Sequence, residues 1–229
     1  MATSIDYKNI ANGNHIESVI RFLENNLADF PNEVSIKKTH AEPFMNKSLE
    51  RFLENKARYG EEEYPFSFEA EPIHELEPYK KVDIGAYIST KGYFDNQSFF
   101  TIEAKRLPTP RRATKEEEKE YVTGFKGGIA RFKRNEHGVN LPINAMIGYI
   151  EQHDFMYWHN EINNWVSSLN GSIQKGKEIK KDIAWDATEI LELIYQKDIA
   201  RLHSIHSRVN SKINSVSLVH FWIKVKNYV

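Results

Sequence analysis

Apolar and polar positions alternate along two neighbouring stretches of the chain, and this alternation predicts two β-strands. Residues 98–107 (SFFTIEAKRL) place apolar side chains on one side of a strand, while Glu103 and Lys105 fall on the other. Residues 80–90 (KKVDIGAYIST) alternate in the same phase and put Asp83 on the polar side. The residues between the stretches are turn formers, so we expect an antiparallel hairpin that gathers these three charged side chains on one face.

The rest of the pattern predicts helices and strands around this hairpin. Helices are expected over 15–30, 42–58, 117–134, 155–169 and 184–198, and further strands over 66–75, 141–151 and 216–226. The helix over 117–134 is expected to bury Phe125, although glycines at 124, 127 and 128 are unfavourable inside a helix.

This order of elements indicates an α/β fold of one domain covering residues 1–229. Its core, about 40–151, would run helix, three strands, helix and strand (αβββαβ) around a mixed sheet flanked by helices. Extra helices at the N- and C-terminal sides and a C-terminal strand would complete it, with residues 152–229 as an extension of the core.

Composition narrows the possible classes of protein. Of 229 residues, 40% are hydrophobic, which is typical of a globular protein with a core. No stretch approaches the roughly 18 apolar residues of a membrane span, and the polar N-terminus lacks the apolar region of a signal peptide. There are no cysteines, so disulfides and thiolate metal sites are excluded. We therefore expect a cytoplasmic protein with no membrane partner.

Charge is unevenly distributed, although the net charge is only −1. Thirteen acidic and seven basic residues lie between Ala41 and Glu103, whereas ten basic and four acidic residues lie between Lys105 and Arg134. Carboxylates favour divalent cations, and a basic segment favours phosphates. Either block taken alone is also typical of an ordinary solvated surface.

Asp83, Glu103 and Lys105 are the strongest candidates for chemistry. Charges beside a buried strand are costly unless they are compensated, and a metal ion with its substrate would compensate them. A surface hairpin carrying a solvated Glu–Lys pair is the alternative interpretation. Motifs for nucleotide phosphate binding (GxxxxGK[ST]), zinc proteases (HExxH) and serine hydrolases (GxSxG) are absent from the sequence.

Asp83 together with Glu103-Ala104-Lys105 resembles the motif of the PD-(D/E)XK, or restriction-endonuclease-like, nuclease superfamily. The resemblance covers roughly residues 40–151, and Val82 stands where the motif usually has a proline. It implies that Asp83, Glu103 and the carbonyl of Ala104 bind Mg²⁺, for which Mn²⁺ could substitute, and that Lys105 is catalytic.

In that superfamily, a helix before the first core strand often supplies another acidic residue. Glu42 and Glu50 are the candidates here, and Glu42 is favoured as the fourth catalytic residue because it stands at the entry to the helix. Glu69 or Glu71, on the first predicted strand, could instead complete the metal site from across the sheet.

The basic segment is expected to hold a nucleic-acid backbone beside the catalytic strand. The residues proposed for this role are Arg106, Arg111, Arg112, Lys126 and Arg131. A solvated loop is the alternative for the arginines that follow the strand.

These features together predict a Mg²⁺-dependent nuclease, with DNA favoured over RNA as substrate. The resemblance loosely implies bacterial defence or restriction, with a homodimer or a larger defence complex as possible partners. A catalytically silent or complex-dependent module that binds nucleic acid or a partner is the alternative function.

Overall fold

The computed structural model describes residues 4–34, 37, 40–60, 62–70, 82–90, 93–109, 117–176 and 181–225, with the backbone alone for 4–13, 93–94 and 117. The fold is α/β, as the sequence predicts, and a mixed sheet forms its centre. Among the described residues, no helix combines the length and apolar content needed to cross a bilayer.

Helices account for five elements of the described chain. They are α1 (Ser4–Asn26), α2 (Phe30–Glu33), α3 (Glu42–Tyr59), α4 (Gly128–Lys133) and α5 (Phe155–Ser168). A 3₁₀ turn also covers Glu117–Lys119.

Ten strands are present in the described residues. The first five are β1 (Phe66–Ala70), β2 (Ile84–Thr90), β3 (Tyr93–Phe94), β4 (Phe100–Leu107) and β5 (Ile143–Ile150). The others are β6 (Ile173–Gln174), β7 (Ile183–Ala184), β8 (Glu192–Gln196), β9 (Ile199–Ser207) and β10 (Ser215–Lys224).

Seven strands form the main sheet in the order β1-β2-β4-β5-β10-β9-β8, and β3 pairs with β2 outside this path. Strand β5 runs parallel to both β4 and β10, and the other pairs are antiparallel. Because β5 is central and covered on both faces, its almost continuously apolar sequence is buried over nearly its whole length. Strands β6 and β7 form a separate pair.

Two hydrophobic layers cover the two faces of the sheet. Apolar residues of α1 and α3, such as Leu23 and Leu49, pack on one face together with Ile102 of β4. Residues of α4 and α5, such as Phe132 and Trp158, pack on the other face. Along β4, Glu103 and Lys105 alternate with Ile102 and Ala104, whose side chains belong to the first layer. The side chains of Glu103 and Lys105 therefore point toward the layer that contains α4.

The prediction of a single helix over 117–134 is wrong. Only Gly128–Lys133 is α-helical, because Gly124 adopts a left-handed φ of 96° and Gly127 is extended. As a result Phe125 lies in a turn and is 61% exposed, whereas the predicted helix would have buried it.

The helix predicted over 184–198 is also wrong. Strands β7 and β8 occupy this stretch, and β8 forms backbone hydrogen bonds with β9, a strand that the hydrophobic pattern did not reveal. Of the apolar residues in this stretch, Ile190 and Ile194 are 38% and 52% exposed, whereas Leu191 is buried. The predicted C-terminal strand is confirmed as β10, and it lies inside the sheet between β5 and β9.

A chain of buried polar side chains connects β9, β10 and the segment before α4. Ser204 Oγ lies 2.7 Å from Nε2 of both His206 and His220, and Nδ1 of His220 lies 2.8 Å from the Tyr121 hydroxyl. The indole of Trp222 donates to the same hydroxyl at 2.9 Å. Burial lowers the pKa of both histidines, so the folded protein holds them neutral.

Acidification should therefore destabilise the protein through these histidines. The unfolded chain protonates histidine near pH 6.5, whereas folded His220 resists protonation, so the unfolded state binds more protons below that pH. We expect the free energy of unfolding, measured by urea titration, to fall between pH 7.5 and pH 5, with a contribution of about 2 kcal/mol from His220.

The variant His220→Gln should lose part of this pH dependence, while His153→Gln, at an exposed position, serves as the control. An unchanged slope in His220→Gln would show that His220 is not held neutral.

Candidate active site

Asp83 and Glu103 meet where β2 pairs with β4. Ile84 of β2 is paired with Ile102 of β4, so continuing the antiparallel register by one residue places Asp83 opposite Glu103. The Asp83 carboxylate accepts a hydrogen bond of 2.8 Å from the backbone nitrogen of Ala104. This bond holds Asp83 against the residue that separates Glu103 from Lys105.

Glu103 is almost completely buried, with 1% of its surface exposed, and three donors face its carboxylate. Its Oε1 lies 3.1 Å from Nζ of Lys105 and 3.5 Å from Nη1 of Arg131 on α4. Its Oε2 lies 3.0 Å from Nδ1 of His137, although this contact is poorly aligned for a hydrogen bond. The carboxylate is thus fixed in one orientation by both its own strand and the α4 segment.

Lys105 joins the hairpin to helix α3. Its Nζ lies 3.1 Å from Oε1 of Glu42, the first residue of α3, as well as from Glu103. The other oxygen of Glu42 accepts a hydrogen bond of 3.3 Å from the backbone nitrogen of Arg106. The four residues proposed as catalytic, Asp83, Glu103, Lys105 and Glu42, are therefore brought together.

The two central carboxyl groups differ in their protonation. Burial, together with the nearby charge of Glu103, raises the pKa of Asp83 well above its ordinary value. Burial alone would also raise the pKa of Glu103, but the facing His137, Lys105 and Arg131 hold it below its ordinary value. Burial lowers the pKa of His137, so near neutral pH the lysine and arginine provide the positive charge that keeps Glu103 ionised.

Lys105 remains protonated in this environment. Burial favours its neutral form, but the charges of Glu103, Glu42 and Asp83 outweigh burial and raise its pKa. In this arrangement Lys105 can donate hydrogen bonds and neutralise negative charge.

The carboxylate pair has the chemistry of a magnesium site with few protein ligands. Within the described residues, no group of three or more histidine, aspartate or glutamate side chains is arranged to hold a metal ion. Mg²⁺ commonly uses one or two carboxylates and retains several waters, so Asp83, Glu103 and the Ala104 carbonyl fit its preferences. Burial is the main cause of the raised pKa of Asp83 and the charge of Glu103 adds to it, so a cation bound here would favour the ionised form of Asp83.

The proposed nucleic-acid-binding residues occupy different environments. Arg106 forms a two-contact ion pair with Glu151, with Nη2 2.9 Å from Oε2, and Arg131 faces Glu103. Lys126 is exposed in the turn before α4. The remaining two, Arg111 and Arg112, lie outside the described residues.

The alternative acidic residues lie elsewhere. Glu50 is buried on α3 and pairs with Lys47 at 2.9 Å, and Glu69 is exposed on β1. Glu71 lies outside the described residues. Among Glu42, Glu50 and Glu69, the geometry therefore brings only Glu42 to Lys105.

Two further residues of the site were missed by sequence reasoning. Glu120 is half-buried; burial raises its pKa, and the charges of Lys105 and Lys126 oppose this rise. His137 is fully buried on a loop whose carbonyls at His137 and Gly138 accept hydrogen bonds from Arg208, each at 3.1 Å. Neither residue follows a periodic pattern, because a loop places each of them beside β4.

Comparison with known proteins found no matching protein-family model, curated protein or solved structure.

Proposed function

We propose that this protein is a metal-dependent nuclease that hydrolyses phosphodiester bonds, with DNA as the favoured substrate. The observation that carries the proposal is the convergence of Asp83, Glu103, Lys105 and Glu42 around the middle of β4. Paired acidic oxygens suit a divalent cation, and the adjacent ammonium group suits the charge that develops on a phosphate.

The succession of elements also supports the proposal. Leaving aside the short β3, the chain runs α3, β1, β2, β4, α4 and β5, and the four strands are neighbours in the sheet in that order. This is the αβββαβ order that the resemblance to PD-(D/E)XK nucleases implies. Asp83 directly precedes β2, Glu103 and Lys105 lie on β4, and Glu42 is the first residue of α3.

Each residue has a role that follows from its contacts. Asp83, Glu103 and the Ala104 carbonyl would hold Mg²⁺, which when bound lowers the pKa of a water and polarises the phosphate. The charged Lys105 would donate to the oxygen on which negative charge develops. Glu42 holds Lys105 in place from α3, and the buried charge of Glu103 is maintained by Lys105 and Arg131.

Cleavage of supercoiled plasmid in Mg²⁺ and in EDTA tests the proposal. We expect nicked or linear DNA with Mg²⁺ and intact plasmid with EDTA. The variant Asp83→Asn keeps the size of the side chain but removes a charged metal ligand, and it should lose cleavage. The variant Asp198→Asn changes an exposed aspartate and should cleave like the wild type. Equal cleavage by Asp83→Asn and wild type would rule out this site.

A second candidate function is a nucleic-acid-binding or partner-binding module that is silent on its own. It is favoured by the contacts of the Glu103 carboxylate, because both of its oxygens already face side chains of the protein, namely Lys105, Arg131 and His137. Salt-dependent DNA binding without cleavage in any divalent metal would support this alternative. Cleavage of RNA but not DNA in a substrate panel would instead identify a ribonuclease.

A further inference from the structure

The chain between Glu120 and Gly128 forms a closed loop next to the candidate site. The backbone nitrogen of Gly128 donates to the carbonyl of Glu120 at 2.9 Å, and the nitrogen of Gly127 donates to the carbonyl of Gly124 at 3.3 Å. Phe125 lies in this tight turn with 61% of its surface exposed. Most of the surface of this residue is therefore open to contact by a ligand.

A buried arginine fixes the loop in this conformation. Arg134 is 2% exposed, and its Nη2 donates to the carbonyl oxygens of Gly124 and Phe125 at 2.9 and 3.3 Å. Nε of the same guanidinium donates to Glu136 at 3.2 Å. The protein thus uses a buried charged group to hold the backbone that presents Phe125 to solvent.

The loop begins at the site with Glu120 and also carries an exposed cation, Lys126. Glu120 interacts electrostatically with Lys105 and Glu42, and it also interacts with Lys126. Phe125 is five residues beyond Glu120, so the chain itself limits their separation to about 18 Å. Phe125 and Lys126 are thus exposed neighbours in sequence, on a short loop between Glu120 and α4, whose Arg131 lies 3.5 Å from Glu103.

We infer that Phe125 stacks on an unpaired base of the substrate while Lys126 contacts a neighbouring phosphate. The inference takes a nucleic-acid substrate from the proposed function and adds that nucleotides beside the cleavage site are single-stranded. Stacking on an aromatic ring requires an exposed base face, which an intact duplex offers only at its ends, and it tolerates any sequence. An adjacent basic side chain supplies the backbone contact.

Binding of a fluorescein-labelled oligothymidylate, measured by anisotropy in EDTA, tests this inference without requiring cleavage. The wild type should bind the single strand more tightly than the matching duplex. Phe125→Ala should weaken single-strand binding about tenfold, the loss expected for one aromatic stack, and should leave duplex binding unchanged. Phe125→Trp should retain affinity, and its added tryptophan emission should be quenched by the oligonucleotide.

Tyr59→Ala is the matched control because Tyr59 is an 85% exposed aromatic residue at the far end of α3. Equal single-strand affinities for Phe125→Ala, Tyr59→Ala and wild type would overturn the inference, as would the absence of any binding by the wild type. If the Phe125 effect is found in a protein that never cleaves, the inference stands and the proposed nuclease activity fails. If the protein cleaves but Phe125→Ala binds normally, only the inference fails.

Discussion

Replacing Lys105 with methionine should lower the rate of Mg²⁺-dependent DNA cleavage by about 10²- to 10³-fold. Lys105 is the charged donor between Glu42 and Glu103, and its contacts of 3.1 Å to each hold the ammonium group beside the proposed metal ligands. Removing one preorganised donor to developing negative charge typically costs this factor in rate. Single-turnover cleavage at saturating enzyme measures the chemical step directly.

Lys197→Met provides the control for this experiment, because Lys197 is 87% exposed and lies in the β8–β9 turn. Circular dichroism and thermal unfolding should show that Lys105→Met is folded at the assay temperature. A folded Lys105→Met protein that cleaves at the wild-type rate would contradict the proposed role of Lys105.

Replacing Lys133 with methionine should destabilise the folded protein by about 3–5 kcal/mol, the usual cost of leaving one charge of a buried ion pair without its partner. Nζ of Lys133 contacts both carboxylate oxygens of Glu189 at 2.5 Å and the hydroxyl of Ser207 at 3.0 Å, and its side chain is fully buried. Burial alone would raise the pKa of Glu189, but His206 and Lys133 lower it to about 2. In Lys133→Met, Glu189 must either stay charged without Lys133 or take up a proton, and either outcome costs stability.

A double-mutant cycle measures this effect by urea unfolding of the wild type, Lys133→Met, Glu189→Gln and the double variant. The double variant Lys133→Met with Glu189→Gln should recover much of the loss, because neither buried charge then remains. Lys175→Met removes a pair with Asp182 at a 78% exposed position and should change stability by less than about 1 kcal/mol. A Lys133→Met protein as stable as Lys175→Met would show that the buried pair contributes little.

Short-range alternation was sufficient to predict the hairpin and its charged face. The phase of Asp83, Glu103 and Lys105 depends only on the two-residue repeat of a strand, and the structure brings these three side chains together. The position of Glu42 at the start of a helix was also predictable, because an acidic residue followed by proline, as in Glu42-Pro43, is typical of a helix N-terminus.

The errors came from segments in which tertiary contacts override local pattern. Gly124 and Gly127 break the helix predicted before α4, and Arg134 then supplies partners for the carbonyls that the helix would have used. The apolar residues of β8 also fit a helical repeat, and pairing with β9 decides in favour of a strand. His137 reaches Glu103 only because Arg208, far along the chain, fixes its loop.

The position of β10 has a consequence for how the site is assembled. Residues 42 to 137 supply every side chain that we place at the site, but β10, which begins at Ser215, lies directly beside β5 in the interior of the sheet. A nascent chain that had emerged only as far as β5 would carry all the proposed catalytic groups. The edge of β5 that pairs with β10 in the complete sheet would still be unpaired. The sheet that supports the proposed site would then be completed only late in synthesis, when β10 docks.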